Sequence, residues 1–422
     1  MNMIERGRTF VQKMKELAAR SWWGWKSCPH CGSSLTIKNG SYRRHPWALT
    51  GRQEVRIQRH RCQRCGKSYA EESADLVRGS WYARAVRRCA VDYWVHGGSS
   101  LRRAAEWLCS WLGRQERWLM WQMIETQAVG REACHLSAST LHRWLKQAGR
   151  KAQESVPGQW AGVESSGQMG TDGLWARLRV GGKRVLFLLV DTVTGVVWTT
   201  VVAVGEEAGE EWEKLFVRAK EAGLIWKQID ALVSDGAQGA LSFVRSALGW
   251  VHHQRCIWHF WRNPLAGEIA AAVAEAAKES QEALRQELRA LLREILNASS
   301  YPGAEEALAR LAAHSHGARL AQKVNEQWDR LLYHLLPAHH GLMRLAPEWL
   351  WRDFRLRLGR GRNHGTDERL DQAGLVWMVY HNFTPAQWRS ERKRKYKHAD
   401  QSPLEVAGAR PERISYLDAL EV

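Results

Sequence analysis

Two short cysteine motifs constrain the N-terminal part of this chain more than any other feature. Cys28-Pro-His-Cys31-Gly32 and Cys62-Gln-Arg-Cys65-Gly66 are near-identical knuckles with 30 residues between them. A C-x-x-C turn presents two thiolates on one side of a tight loop, and the glycine after it lets the loop close. Two knuckles supply four sulfur ligands, so Cys28, Cys31, Cys62 and Cys65 are expected to hold a structural Zn²⁺ in a closed tetrahedral site. A thioredoxin-like redox pair would instead need one C-x-x-C on a βαβ unit. The surrounding segment is punctuated by Gly and Pro. Its short alternating stretches, Ser34–Lys38 and Glu54–Gln58, predict small hairpins. About 45 residues bury little core, and a metal supplies the missing constraint. The other cysteines sit apart; Cys89, Cys109 and Cys134 have helical surroundings and read as buried thiols.

Charge then separates the chain into two parts. Of the 62 Lys+Arg and 44 Asp+Glu, residues 1–150 hold 27 and 11, and residues 151–422 hold 35 and 33. Almost all of the +18 net charge therefore lies in the first third, the pattern of a polyanion-binding module joined to a part with another task. Arg43, Arg44, Arg56 and Arg59, with Arg52, Arg61 and Arg64 near them, are candidates for phosphate contacts around the zinc knuckles. From about residue 80 the periodicity turns helical. One helix ends at His96-Gly97-Gly98, and Ser99-Ser100 caps a second over about 99–111. A third begins at Leu136-Ser-Ala-Ser-Thr and runs to Arg150. Together they suggest a helix-turn-helix with an insertion from Trp111 to His135. Its recognition helix would carry Thr140, His142, Arg143, Lys146 and Arg150. Residues 1–20 read as a short amphipathic helix and 151–163 as a linker. Mean hydropathy is −0.46 and no long apolar run occurs, which excludes a spanning helix. The first residues lack the apolar stretch of a secretory signal. The expected location is the cytoplasm, at the nucleoid.

The second part switches to period-two apolar stretches. Leu174–Val180, Val185–Val190 and Val196–Val204 predict three strands joined by hairpin turns. A helix follows at about 208–222, a strand at Ile229–Ser234, a helix at about 237–249 and a short strand from Val251 to about Cys256. Residues 257–350 are helical and rich in Ala, Leu and Glu, and 351–381 continue helical after a Gly-containing break. The predicted fold class is α/β: a ribonuclease H-like mixed sheet with an all-helical insertion, behind a zinc ribbon and a helix-turn-helix region. The expected divisions are 1–78 (N-terminal helix and zinc ribbon), 79–155 (helix-turn-helix region), 160–261 with 351–383 (catalytic domain), 262–350 (helical insertion) and 384–422 (a basic tail with six Lys/Arg in Arg389–Lys397).

Asp172 opens the first of these strands and Asp235 follows the fourth. In such a sheet those strands are neighbours, so the carboxylates can converge. Mg²⁺ takes only one or two protein carboxylates and keeps waters. A pair of ions about 3.5–4 Å apart can activate an attacking hydroxyl and stabilise the leaving oxygen. A third acid is expected from a later helix: Glu368, with Asp367 and Asp371 as neighbouring competitors. Asp191 also follows an apolar strand, but it opens the turn Asp-Thr-Val-Thr-Gly and reads as structural.

The order Asp172 … Asp235-Gly … Cys256-x-x-His259 … Asn363-x-x-x-x-Glu368 resembles the DDE transposases of bacterial insertion sequences, of the Mutator-like type. Those proteins carry a C-x-x-H signature after the second aspartate and a helical insertion before the glutamate. Ser402-Pro-Leu-Glu also resembles a stretch near the end of many bacterial transposases. The resemblance implies that Asp172, Asp235 and Glu368 bind two Mg²⁺, which Mn²⁺ can replace. It implies that Cys256 and His259 organise the site, and that a homodimer or higher oligomer acts on double-stranded DNA at element ends and target. The expected activity is metal-dependent strand cleavage and strand transfer. The alternatives are a non-catalytic DNA-binding regulator derived from a transposase, and a Mg²⁺-dependent nuclease on the same fold.

Overall fold

The computed structural model describes residues 27–71, 75–97, 100–122, 134–155, 160, 162–180, 182–206, 208–336, 345–358, 365–385, 400–409 and 415–421. The amphipathic helix expected at 1–20, Asn363 and the basic run Arg389–Lys397 lie outside them. The chain divides into two units, Met1–Leu145 with Val422, and Lys146–Glu421.

In the first unit, the alternating stretches form strands β1 (Thr36–Arg44), β2 (Trp47–Ala48), β3 (Gly51–Arg52), β4 (Val55–Cys62) and β5 (Ser68–Ala70). β1, β4 and β5 make a three-stranded sheet in the order β1-β4-β5, and β2 and β3 pair separately. Helices α1 (Arg84–Gly97) and α2 (Leu101–Gln122) follow, and then α3 (Ala138–Ser155), of which the part to Leu145 belongs to this unit and the rest to the second. α2 runs eleven residues beyond the end expected near 111, so the first half of the supposed insertion is helix. Leu108 and Leu112 carry the apolar stripe past that point. Together with Trp47, Tyr82, Val86, Ala90, Leu141 and Trp144 they form the core of this unit. α3 also runs on through Ser155, into the stretch expected to be a linker.

The second unit is built on a five-stranded mixed sheet. Its strands are β6 (Gln168–Arg177), β7 (Lys183–Asp191), β8 (Val197–Ala203), β9 (Ala231–Ser234) and β10 (His252–Arg255), in the order β10-β9-β6-β7-β8. β6, β7 and β8 are antiparallel neighbours, while β9 pairs parallel with both β6 and β10. The parallel pairs need crossovers, supplied by α4 (Gly209–Glu221) and α5 (Gln238–Ala247). β7 is buried along most of its length, which explains its continuous apolar run. Strand β6 starts at Gln168, six residues before the expected start at Leu174, so Asp172 is an interior residue of the strand.

After β10 the chain is helical: α6 (Ile257–Phe260), α7 (Ala266–Ala274), α8 (Gln281–Leu296), α9 (Tyr301–Ala313), α10 (Ala318–Asn325) and α11 (Trp328–Leu332). These helices have a core of their own, from Ile257 to Leu332. α11 is tied to the edge strand β10: Gln254 Nε2 donates to the Leu331 carbonyl at 2.8 Å. α12 (Glu348–Leu358) begins before the expected end of the insertion, and α13 (Asp367–Phe383) follows. α13 is apolar nearly all round, and from Leu370 through Asn382 every residue is buried. Its buried Asn382 is tied to the sheet: it accepts from Val197 N at 2.9 Å and donates to Val197 O at 2.8 Å.

Candidate active site and metal centres

The knuckles bring the four predicted sulfurs together. The ligand atoms of Cys28, Cys31, Cys62 and Cys65 all lie within 4.8 Å of one another. Cys28 Sγ is 3.7 Å from Cys65 Sγ, and Cys31 Sγ is 3.6 Å from Cys62 Sγ. A tetrahedral zinc with Zn–S of about 2.3 Å needs sulfurs about 3.8 Å apart, so this cluster has the dimensions to hold a metal such as zinc. Gly32 and Gly66 occupy the left-handed region, with φ of 70° and 71°. The Cys65 backbone N–H donates to Cys62 Sγ at 3.5 Å and is the main influence pulling that thiol down to about 6, which favours the thiolate that a metal binds.

Around this centre Arg43, Arg56, Arg59, Arg61 and Arg64 are exposed. Arg43 and Arg56 face each other across β1 and β4, a like-charged pair only partly relieved by Glu54, 3.3 Å from Arg43. Arg44 differs, because its guanidinium is bound to the carbonyls of Val77 and Ser80 and braces a loop. On α3, Leu141, Trp144, Ala148 and Ala152 are buried, while Arg143 and Arg150 are exposed and Lys146 is half-exposed. This amphipathic spacing sets the three cations on one face, away from the core. Ser137 Oγ caps the helix start by accepting from Thr140 N at 3.2 Å.

The register of the large sheet assembles the acids. β6 and β9 pair with Gly170 opposite Val233. Two residues further on, Asp172 lies within β6 and Asp235 just past the end of β9, and neighbouring strands are spaced about 4.8 Å. A third acid is also there. A Cβ at Gly170 would lie 3.4 Å from Val233 and 3.3 Å from Pro347, so the residue before Glu348 packs on the face that Asp172 shares with Gly170. Asp172 is 4% exposed, and burial first, then Asp235, Glu348 and Glu206, hold its carboxyl well above the usual range against one favourable backbone N–H at Gly173. This is a buried acid surrounded by acids, the electrostatic condition that a bound cation relieves.

Asp235 stands at the tight turn that ends β9. Its Oδ1 accepts from Ala237 N at 2.9 Å, which leaves its second oxygen for another partner. Gly236 has φ of +88° and lies under Arg255, whose Nε would be 2.9 Å from a Cβ there, so a side chain at 236 is excluded twice. Ser234 Oγ accepts from Gly236 N at 3.2 Å and lies 2.6 Å from His253 Nε2, which braces the turn from behind. Cys256 is buried against Val233 and Ala346, and three residues on His259 Nε2 is 3.9 Å from Glu348 Oε2. The C-x-x-H pair therefore lies between the turn that carries Asp235 and the segment that carries Glu348. Among the described residues no metal cluster includes Cys256 or His259.

The acids expected on α13 are placed elsewhere. Asp367 pairs with Arg184 at 3.0 Å, and Arg184 stands opposite Ala176 on β6. That is four residues past Asp172, roughly 13 Å along the strand. Asp371 pairs with Arg218 at 2.6 Å and accepts from Gln153 at 3.0 Å. Glu368 is exposed and accepts from Gln372 at 3.0 Å on its own helix. The structure thus joins Asp172 and Asp235 with Glu348, not with Glu368. Glu348 is hidden in the sequence because the helical pattern of the insertion continues to residue 350; Pro347 before a glutamate, at a helix start, is the signal that marks it. Asp191 is structural as expected: it accepts from Ser166 N and Oγ, Val193 N and Thr194 N at 2.7–3.0 Å.

The fold and this site define a mixed α/β protein in which Asp235 and Glu348 act on the buried Asp172, with a four-cysteine centre earlier in the chain; among the described residues only the four cysteines gather within 4.8 Å of one another as a metal-ligand group. Residues 196–341 match the family model described as Transposase, Mutator family, so this stretch of the chain is similar to transposases of that family. The match includes Asp235, Cys256 and His259 and most of the insertion. No curated protein matches the chain. No helix among the described residues is long and apolar enough to cross a membrane.

Proposed function

We propose that the chain is a DDE-type DNA transposase with a ribonuclease H-like catalytic unit, in which Asp172, Asp235 and Glu348 are the metal-binding acids. The reading rests on one observation above others: the β6/β9 register that sets Asp172 beside Asp235, with Glu348 brought to the same face. The three carboxylates suit a pair of Mg²⁺, or Mn²⁺ in its place, which would supply Lewis-acid activation of the attacking oxygen and charge stabilisation at the leaving oxygen. The protein's share is positioning. The Asp235-Gly236 turn, braced by Ser234 and His253, holds one carboxylate still, and His259 lies 3.9 Å from Glu348. Water would be the first nucleophile, freeing the 3′ hydroxyl of an element end, and that hydroxyl would then attack target DNA. The four-cysteine centre would hold Zn²⁺ and present Arg43, Arg56 and Arg59 to DNA, while α3 would present Arg143, Lys146 and Arg150 as the recognition face of a helix-turn-helix. Action on paired element ends calls for a homodimer or a larger assembly at the nucleoid.

The test uses a plasmid carrying the DNA that flanks the gene, incubated with the full chain and Mg²⁺ or Mn²⁺. Nicking at the flanks and joined products are expected. Glu348→Gln is expected to lower both by at least about 10²-fold, because one ligand's share of several kcal/mol is removed. Glu368→Gln is expected to leave both within about threefold, as an exposed side chain away from Asp172. Full activity in Glu348→Gln, with loss in Glu368→Gln, would overturn the assignment of the third acid. Cutting without joining would favour the nuclease alternative, and binding with neither would favour the regulator.

A further inference from the structure

Two thiols of the N-terminal unit meet outside the four-cysteine centre. Cys109 lies on α2, and Cys134 lies two residues before Leu136, where the chain approaches the start of α3. They are 25 positions apart in the chain, yet Cys109 Sγ is 3.5 Å from Cys134 Sγ. The Leu136 N–H donates to the same Cys109 sulfur at 3.1 Å. Both cysteines pack against the core that holds Leu108, Leu136 and Leu141. The sequence suggests buried thiols there, but both residues are only half-buried, and both are free.

Two sulfurs in contact can share a metal or bond to each other. A metal site needs further ligands, and among the described residues no third His, Cys, Asp or Glu gathers with this pair. A disulfide needs only the two. Its S–S bond is about 2.05 Å, which leaves the sulfurs about 1.5 Å to close, a movement that rotation of the two side chains supplies. The thiols are also unequal. Hydrogen bonding to Cys134, and then to the Leu136 N–H, pulls Cys109 down to about 7 against the effect of burial. Cys134 is pushed up, by Cys109 first and by burial second. Cys109 is therefore the nucleophile of the pair, and Cys134 the thiol that resolves it.

We propose that Cys109 and Cys134 form an oxidation site for hydroperoxides, closing to a disulfide that ties the start of α3 to α2. The Cys109 thiolate attacks one oxygen of the peroxide and breaks the O–O bond, leaving a sulfenic acid and a hydroxide that takes up a proton. The Cys134 sulfur then attacks the sulfenic sulfur. The S–S bond forms, the S–O bond breaks, and the Cys134 proton leaves with the departing hydroxide as water. In sum two thiols lose two electrons and two protons, and one hydrogen peroxide becomes two waters. A dithiol reverses the change by exchange. Within this unit α3 carries Arg143, so the bond fixes the start of a cation-bearing helix. The chemistry stands apart from the carboxylate site and holds whether or not the chain cuts DNA.

The experiment treats the full, zinc-loaded chain with a few equivalents of hydrogen peroxide, blocks the remaining thiols with an alkylating reagent, and maps the peptides by mass spectrometry. Zinc release is followed in parallel with a chromogenic chelator, because the thiolates of the four-cysteine centre also oxidise. A Cys109–Cys134 link is expected at doses that leave the zinc bound, and dithiothreitol should remove it. The closed loop should raise the melting temperature of this unit by on the order of 5–10 °C. Cys109→Ser and Cys134→Ser should lose both the link and the shift, while Cys89→Ser keeps them. In Cys134→Ser a sulfenic acid on Cys109 should be captured by dimedone. The mapping is done on the wild type, so it stays decisive if a variant fails to fold. Alkylation of both Cys109 and Cys134 after oxidation, or links from either one to Cys89 or to a zinc cysteine instead, would overturn the proposal.

Discussion

Asp172→Asn is expected to raise the thermal stability of the metal-free protein while abolishing DNA cleavage. The two effects share one cause. Asp172 is buried beside Asp235, Glu348 and Glu206, so its folded pKa is raised above the unfolded value near 3.9. At a pH below both values the carboxyl is protonated in both states and contributes nothing. As pH rises past about 4 the unfolded chain releases the proton first, and the folded state is penalised progressively until the folded pKa is passed. Asparagine keeps the shape and removes the charge. A gain of about 1 kcal/mol would shift the melting temperature of a unit this size by roughly 2–4 °C. Mg²⁺ is expected to stabilise the wild type by neutralising the same cluster, and to stabilise the variant much less. Cleavage should fall by at least about 10³-fold, since a ligand's contribution of several kcal/mol is lost. Melting curves with and without Mg²⁺, at about pH 5 and about pH 8, check the first claim. A variant less stable than the wild type at the higher pH without metal would show that the acids are not in mutual repulsion, and the metal-site reading would fail with it.

Removing metal from the four-cysteine centre is the second large effect. The ribbon around it buries little besides Cys28, Trp47, Ile57 and Cys62, too small a core to hold the β1-β4-β5 sheet by burial alone. Structural zinc contributes on the order of 10–16 kcal/mol of apparent binding energy in small domains, and that energy is folding energy. A strong chelator, or Cys62→Ser, is therefore expected to unfold residues 27–71. Elemental analysis should find about one zinc per chain, lost in the variant. Limited proteolysis should then cut between Thr36 and Ala70, at sites protected in the zinc-loaded protein. DNA binding should weaken in parallel, as Arg43, Arg56 and Arg59 lose their scaffold. An unchanged digestion pattern in metal-free protein would mean that the four sulfurs do not carry this fold.

Much of the site is legible in the amino-acid order alone. The knuckles name their own ligands, because a C-x-x-C turn fixes the geometry of two sulfurs locally and the two copies match. The strands are legible from period-two apolar runs, and Asp235 from its place at a strand end before a glycine, a turn that needs positive φ. The Cys256-x-x-His259 pair is legible as a motif, and the structure sets His259 against Glu348.

Other features are not legible there, and each has a physical cause. The pattern ends α2 too early, because Gly113 and the polar run Arg114-Gln-Glu-Arg117 that follow Leu112 obscure the apolar periodicity in the sequence. It starts β6 too late, because Gly170, Asp172 and Gly173 look like a loop. They are strand residues that approach Pro347, Asp235 and Glu206 closely, which local pattern cannot report. For the third acid the sequence points to α13, where a glutamate and two aspartates crowd the helix start. The fold gives Asp367 and Asp371 to Arg184 and Arg218.

The sequence by itself determined the parts whose geometry is set within a few residues: the sulfur knuckles, the strand periodicities, the Asp235-Gly236 turn and the basic stripe of α3. The tertiary structure alone decided that Glu348, and not an acid of α13, acts on Asp172. That choice depends on the register between β6 and β9 and on how the long helical segment after β10 returns the chain to the sheet. Side chains far apart in the chain are brought together by packing, and spacing along the chain carries no measure of that.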